Sequence, residues 1–554
     1  MISIAIQTLG CKLNQLESEA IAASFKLEGF RLVRWGEAAD LLVVNTCTVT
    51  SKAEQKARRI IRKALNDNPA ACVIVTGCYA QLDGAAIAAL ESDSGVRFSD
   101  DGGSAGDFEE ISSDAPAGIC AGSAGLSAGR RLFVVSGDLK SALLTLPRYA
   151  AAANEASAGT GIAAVLAQWQ TEGQGGGPPP DPFAFNTGDF SFHSRASLKI
   201  QDGCDHRCTY CRVPLARGSS VSLDAETALE RLRYLEERGY GEAILTGVNI
   251  NQYRWNKFHW NQFQGNKVHS GAFDLGELLN YLLRGTERIA IRLSSLEPEG
   301  ITAGFLSALE NPRVRPHFHL SIQSGSREVL EKMGRWYTPD AIETAIRELR
   351  ARKDDPFLAC DMITGFPGET AADFEQTRAL CERAGFAWIH AFPYSPRPGT
   401  AAPAFTGRVS EAAAVSRVDT LLALARQGRA AYIRRWLGKT VEALDLRSID
   451  LRSIDLRSVD LQSVGGDAGA GGRVGEAASG GVDACVGTVP ARYTAAVSEN
   501  YLKLLIPRTC GTEDPVSGGG HLNAGQVFRC RIATLPETGS RFDAIGERLR
   551  PLDV

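Results

Sequence analysis

The stretch Ala196-Ser-Leu-Lys-Ile-Gln-Asp-Gly-Cys-Asp-His-Arg-Cys-Thr-Tyr-Cys211 decides the reading of this 554-residue chain. Residues 196–200 have the composition of a strand. The loop that follows carries Cys204, Cys208 and Cys211 at the spacing C-x3-C-x2-C. Three thiolates so close together can hold three irons of a cubane 4Fe–4S cluster and leave the fourth iron open. Ferredoxin-type carriers use four cysteines per cluster, at other spacings. Structural zinc usually takes paired C-x2-C knuckles, and no second knuckle lies nearby. An open iron is a binding site, so the spacing points to a cluster that works on a bound ligand.

Around this loop the pattern alternates strand and helix. Strand-like runs recur at 196–200, 243–246, 289–293, 317–322, 358–363 and 387–392, with helical patterns between them, as at 225–238 and 339–352. Six strands alternating with helices predict a partial (βα)6 barrel, with the cysteine loop at the C-terminal mouth. Upstream, strands over 2–7, 41–45 and 72–76 alternate with helices over 15–27 and 53–65, a βαβαβ pattern that predicts a parallel sheet. Residues 133–135 would add one more strand. Downstream, 411–436 reads as one or two helices. Short β runs at 440–444, 493–498, 501–506 and 527–533 predict a small antiparallel barrel. The fold class is therefore α/β: an N-terminal parallel βα domain, a central partial barrel and a small C-terminal β-barrel.

The expected domains are 1–150 with a loose insertion at 84–130, a low-complexity linker at 151–190, a barrel domain at 191–410, a helical connector at 411–437 and a terminal domain at 438–554. The Gly-, Ala- and Ser-rich stretches 84–130 and 151–190 are expected to be loosely ordered. Within 445–485 lies a pentad repeat that begins Asp445-Leu-Arg-Ser-Ile and is repeated from Asp450, Asp455 and Asp460. Four copies are too few for a stable β-helix, so it reads as an expanded loop.

Composition excludes little. The net charge of -4 means that any nucleic-acid contact must come from local basic patches, such as Lys56, Arg58, Arg59, Arg62 and Lys63, or Arg434 and Arg435. Such patches are more often solvated faces. No run of about 20 apolar residues occurs. The first residues read as a strand rather than a signal peptide. Thirteen cysteines in a chain without a secretory signal fit a reducing cytoplasm better than a disulfide scaffold.

A second set, Cys11, Cys47 and Cys78, follows the three N-terminal strands. Loops after successive parallel strands converge on one sheet edge. Three thiolates could meet there, or remain buried free cysteines.

The C-x3-C-x2-C loop resembles the radical S-adenosylmethionine (SAM) superfamily. Further motifs narrow the resemblance to radical SAM methylthiotransferases. These are Thr8-Leu-Gly-Cys-Lys-Leu-Asn, Val44-Asn-Thr-Cys-Thr-Val, Val75-Thr-Gly-Cys-Tyr-Ala-Gln, Gln201-Asp-Gly-Cys, Leu245-Thr-Gly-Val-Asn-Ile, Arg292-Leu-Ser-Ser-Leu-Glu-Pro, His319-Leu-Ser-Ile-Gln-Ser-Gly-Ser and Asp361-Met-Ile-Thr-Gly-Phe-Pro-Gly-Glu-Thr. The resemblance implies two 4Fe–4S clusters, with Cys204, Cys208 and Cys211 as the catalytic set and Cys11, Cys47 and Cys78 holding an auxiliary one. It implies SAM on the open iron and a C-terminal TRAM domain that binds RNA. Tyr210 matches the aromatic residue commonly found before the last cysteine. Thr246, Gly247 and Asn249 would meet the methionine end of SAM, or form a simple βα turn. Ser295 and Glu297 could bind its ribose or amino group, or cap a helix. Gly365 could pack on the adenine or merely turn the chain. Arg397 could neutralise an anionic substrate group or be a surface arginine.

The motif wording is similar to the branch that modifies N6-threonylcarbamoyladenosine at position 37 of tRNA. Two departures are Arg212-Val-Pro-Leu, in place of an Ile-Ile-Pro-Tyr run, and Asn251, in place of glycine. The branches acting on isopentenyladenosine or on a ribosomal-protein aspartate stand as alternatives, and an RNA-binding electron-transfer protein is the rival from another class. Partners expected are tRNA, through its anticodon loop, and an unidentified electron donor.

Overall fold

The computed structural model describes residues 2–93, 130–156, 161–176, 181–255, 273–446, 493–507, 527–534 and 543–549. Two compact units, Met1–Pro182 and Phe183–Val554, divide the chain.

In the first unit, β1 (Ser3–Thr8), β2 (Arg31–Leu32), β3 (Leu41–Thr46), β4 (Cys72–Gly77) and β5 (Leu132–Val134) form one sheet in the order β2-β1-β3-β4-β5. Every pairing is parallel. All residues of β3 and β4 are buried, as expected for strands covered on both faces. The helix Ser51–Asp67 starts where the Thr50 hydroxyl accepts the Ala53 N–H. It buries Ala57, Ile61, Ala64 and Leu65 on the sheet and leaves Lys56, Arg59, Arg62 and Lys63 exposed.

Two helices, Leu146–Ala156 and Ile162–Gly176, occupy much of the stretch read as a loose linker. The second buries Val165, Leu166 and Trp169. These residues have the i, i+1, i+4 spacing of an apolar helix face, which the glycines on either side mask in a composition average. The earlier insertion is helical over Cys78–Ala88 and Leu90–Asp93, and 94–129 lie outside the described residues.

In the second unit, β6 (Ala196–Lys199), β9 (Glu242–Thr246) and β10 (Ala290–Leu293) form one parallel sheet. A second consists of β11 (Ser295–Leu296), β12 (His317–Gln323), β13 (Phe357–Thr364) and β14 (Trp388–Pro393). All six expected strands are present, with β11 as an addition. A short antiparallel ribbon, β7 (Gln201–Asp202) and β8 (Val221–Ser222), brackets the cysteine loop. Residues 411–436 are one continuous helix.

At the C-terminus, β15 (Thr440–Asp445), β16 (Tyr493–Ser498), β17 (Lys503–Pro507), β18 (Val527–Thr534) and β19 (Ala544–Arg548) close into a barrel in the order β15-β16-β17-β19-β18. It is antiparallel except between β17 and β19. A closed ring with an odd number of strands cannot alternate direction at every step, so one parallel pair is required. Asp445, the first residue of the pentad repeat, belongs to β15, and its carboxylate accepts a hydrogen bond from Arg548 at 2.6 Å. The repeat from 447 onward lies outside the described residues.

Barrel and central sheets share a core that includes Phe357, Ala387, Tyr432, Val441, Leu504 and Ile532. A buried ion network reinforces it at the N-terminal ends of the strands. Glu242 takes a two-pronged contact from Arg292, at 2.7 and 2.8 Å, and a third from Arg315 at 3.2 Å. Arg315 also reaches Glu442 of β15 at 2.7 Å. Burial alone would raise the Glu242 pKa, but the Arg292 charge and its hydrogen bonds override it and hold the carboxyl at about 2. Glu242→Gln is expected to lower stability by about 3–5 kcal/mol, since it leaves buried guanidinium charge uncompensated. Because the folded-state pKa is depressed, the stability from Glu242 is present above its ordinary value of 4.5 and is lost as pH falls through about 2. Urea denaturation at pH 7 and at acid pH checks both; equal midpoints for variant and wild type at pH 7 would refute the assignment.

Candidate functional site

The first cysteine set sits at the C-terminal ends of parallel strands, and the second on the loop that follows β6 and the short ribbon strand β7. In the first unit, Thr46 of β3 pairs with Gly77 of β4, so Cys47 and Cys78 leave the sheet side by side. Gly77 has φ +101°, and a Cβ there would lie 2.3 Å from the Thr46 carbonyl oxygen, so only glycine allows this approach. Thr8 pairs with Asn45 one step earlier. The loop to Cys11 then passes against Cys47: a Cβ on Gly10 would lie 2.7 Å from the Cys47 Sγ. Asn14 fastens the two loops by donating to the carbonyls of Leu9, at 2.8 Å, and Thr46, at 2.9 Å. Cys11 is exposed, whereas Cys47 and Cys78 are buried. The sheet edge thus carries three cysteines that are far apart in sequence.

In the second unit, the Cys204 loop is shaped by its backbone. Gly203 has φ +69°, and a Cβ there would collide with the Ser219 carbonyl oxygen at 1.9 Å. The Cys204 N–H donates to Gly218 at 3.0 Å and the Cys211 N–H to Cys208 at 3.0 Å. Thr209 is held from two sides: its N–H and hydroxyl donate to Met333 and Lys332, and its carbonyl accepts from Ala402. Gln252 donates to the Cys204 sulfur at 3.7 Å. Burial raises the pKa of all three thiols, that of Cys211 to about 12. Without a metal these thiols stay protonated, and bound iron would be needed to ionise them. Three thiols on one short loop are a donor set that a cluster would take.

Beside it lies a cavity of about 160 Å³ lined in part by His206, Gln252, Glu297, Glu299 and Thr302. Glu297 is the hub. Its carboxylate accepts from Arg335 at 2.5 Å and from Asn249 at 2.9 Å, and His206 Nδ1 lies 3.2 Å away. Burial opposes its charge, yet the His206 hydrogen bond and the Arg335 guanidinium keep its pKa well below the usual carboxylate range. The His206 hydrogen bond with Glu297 in turn raises the histidine pKa. Asn251, the departure from glycine, accepts the Glu297 N–H at 2.7 Å through its side chain. A Cβ on Gly300 would lie 1.5 Å from the Asn251 amide nitrogen, so the two positions are matched.

The other expected residues divide. Tyr210 packs edge-on against Phe366 and receives a hydrogen bond from Arg335 at 2.6 Å. Thr246 ends β9. A Cβ on Gly247 would lie 2.7 Å from the Gln201 side-chain oxygen, which also accepts the Asn249 N–H. Ser295 opens β11, in register with His319. Gly365 commits its N–H to Glu369, and a Cβ there would strike Ala414 at 2.5 Å, so the end of β13 packs closely against the long helix. Arg397 is 2% exposed, which removes the surface-arginine reading. Arg435 pairs with Asp355 at 2.9 Å, and both it and Arg434 are exposed. Arg335 and His206 were not singled out from sequence. The available signal was a cation among aromatics in Met333-Gly-Arg-Trp-Tyr337.

No helix among the described residues is long and apolar enough to cross a membrane. Residues 3–97 match the uncharacterized protein family UPF0004, and residues 198–381 the radical SAM superfamily. The threonylcarbamoyladenosine tRNA methylthiotransferase MtaB of Treponema pallidum is 40% identical over 80% of this chain and 91% of its own length. Its namesake from Bacillus subtilis is 31% identical over 80% and 85%. The tRNA-2-methylthio-N(6)-dimethylallyladenosine synthase of Maricaulis maris is 30% identical over 79% and 85%. Among solved structures, the radical SAM methyltransferase TsrM of Kitasatospora setae aligns with a TM-score of 0.41 and 15% identity, over 71% of this chain and 76% of that one. The chain belongs to the radical SAM methylthiotransferase family.

Proposed function

We propose that this enzyme converts N6-threonylcarbamoyladenosine at position 37 of tRNA to its 2-methylthio derivative. The observation that carries the reading is the likeness to MtaB along most of both chains, with one cysteine triad at strand ends and the other on a single loop. C2 of adenine bears an unactivated C–H with no acidic proton, so general acid–base catalysis is too weak a tool. When bound, two 4Fe–4S clusters and SAM supply the radical and sulfur chemistry.

The residues of this chain do the rest. Cys204, Cys208 and Cys211 would hold the radical-forming cluster, and Cys11, Cys47 and Cys78 the auxiliary one. Glu297, held by the Asn249 amide, presents its carboxylate to the cavity beside the loop, where it suits the charged and hydroxyl groups of SAM. Arg335 fixes Glu297 and Tyr210 together and so acts as a positioning residue. Within the second unit we assign 191–410 to the radical SAM domain, 411–437 to a connector, and 438–554 to a TRAM-like RNA-binding domain. An anticodon-loop nucleotide is already single-stranded, so it can be splayed into a site at less cost than one flipped from a duplex.

Mass spectrometry of tRNA nucleosides from a deletion strain tests the substrate. The 2-methylthio-threonylcarbamoyl nucleoside should disappear while its unmethylthiolated parent accumulates. Loss of the isopentenyl counterpart instead would move the enzyme to the other tRNA branch.

A further inference from the structure

Trp336 stands on the protein surface, 73% exposed. Its neighbours are the reverse. Arg335 turns inward to Glu297 and Tyr210. Tyr337 is 5% exposed, and its hydroxyl donates to the Ser321 carbonyl at 2.6 Å. Gly334, in the left-handed conformation with φ +71°, closes the preceding helix, and a Cβ there would lie 3.4 Å from the Arg207 carbonyl in the cysteine loop. Thr209 ties the same two segments together. The indole is thus held out on a short, doubly anchored loop.

Its position is also specific. The ring centroid lies 6.1 Å from that of His206, which lines the cavity beside the cysteine loop. Arg207 and Lys332, on the two segments that flank it, are exposed. Glu331 is exposed on the same helix, and Glu299 lines the same cavity, so this rim is not a strong cation field. A flat, rigid, solvent-facing ring is therefore its distinguishing feature.

We infer that Trp336 is a stacking platform for a nucleobase next to the adenosine being modified. The inference rests on the tRNA reading above. Stacking on an exposed aromatic ring suits any base and holds a splayed loop open without sequence reading. The anchored loop lets the ring bind with little ordering cost, and Arg207 can meet an adjoining phosphate.

The test uses the full-length reconstituted enzyme and a synthetic anticodon stem-loop carrying the target adenosine. Abasic sites are introduced one at a time at the loop positions flanking it. Trp336→Ala should weaken binding about 5- to 100-fold, the span expected for one stacked base. Trp336→Phe should retain most of the affinity. One flanking abasic site should weaken wild-type binding by a similar factor yet leave Trp336→Ala little further to lose. The loss should depend only weakly on salt, unlike a phosphate contact. Iron content and thermal melting serve as fold controls. Wild-type affinity in Trp336→Ala, or additive losses from variant and abasic site, would overturn the proposal. A lower melting temperature with unchanged affinity would assign the ring to packing. No binding by the wild-type enzyme would instead sink the tRNA reading itself.

Discussion

Replacing Cys204, Cys208 and Cys211 together by Ala is expected to leave about four irons in a protein that otherwise holds about eight, one cubane against two. Formation of 5′-deoxyadenosine from SAM should stop altogether. The effect should be local. The loop is held by the Cys204 N–H on Gly218, by Thr209 on Met333 and Lys332, and by Ala402 on Thr209. None of these contacts uses a thiol, so the variant should fold. Its remaining iron would belong to Cys11, Cys47 and Cys78. Iron and sulfide analysis of the anaerobically reconstituted proteins decides the matter. Wild-type protein that retains zinc and no iron would defeat the cluster reading, as would a variant that still cleaves SAM.

The backbone of this fold was legible because its strands carry strong local signals. The fully buried β3 and β4 read as unbroken apolar runs, and the alternation with helices gave their parallel order. The cysteine loop was legible because its cysteines lie within eight residues, Cys204 to Cys211. The N-terminal triad was harder. Its three cysteines are separated by whole βα units, and only the in-register pairing of Thr46 with Gly77 brings Cys47 beside Cys78.

What stayed hidden had physical reasons. The helix Ile162–Gly176 lies in a stretch whose glycines dilute its apolar face. The last strand, Ala544–Arg548, is short and carries Gly546, a poor strand former, and is fixed by tertiary pairing to β17 and β18. Arg335 was missed because its partners, Glu297 and Tyr210, lie 38 and 125 residues away. Glycine positions were legible as turns: the close approach of Ala414 explains why no side chain fits at Gly365.

Replacing Cys11, Cys47 and Cys78 together by Ala should preserve the cleavage of SAM to 5′-deoxyadenosine and abolish methylthiolation. The two triads belong to separate compact units, each with its own sheet and core. The Cys204 loop takes its backbone partners from Gly218, Met333 and Ala402, all within the second unit. Emptying the N-terminal site therefore leaves the radical-forming loop its supports. The edge of the first sheet should survive as well, since Asn14 holds the Leu9 and Thr46 carbonyls without a thiol. On the proposed reading the loop with C-x3-C-x2-C spacing would hold the cluster that binds SAM, and the N-terminal triad would serve the sulfur. The variant should again hold about four irons. Assays with SAM, reductant and a threonylcarbamoyl-modified tRNA, read for both 5′-deoxyadenosine and the 2-methylthio nucleoside, separate the two activities. A variant that keeps its Cys204 cluster yet no longer cleaves SAM would show that the triads do not divide the labour. One that still methylthiolates at wild-type rate would show that the sulfur does not pass through the N-terminal triad.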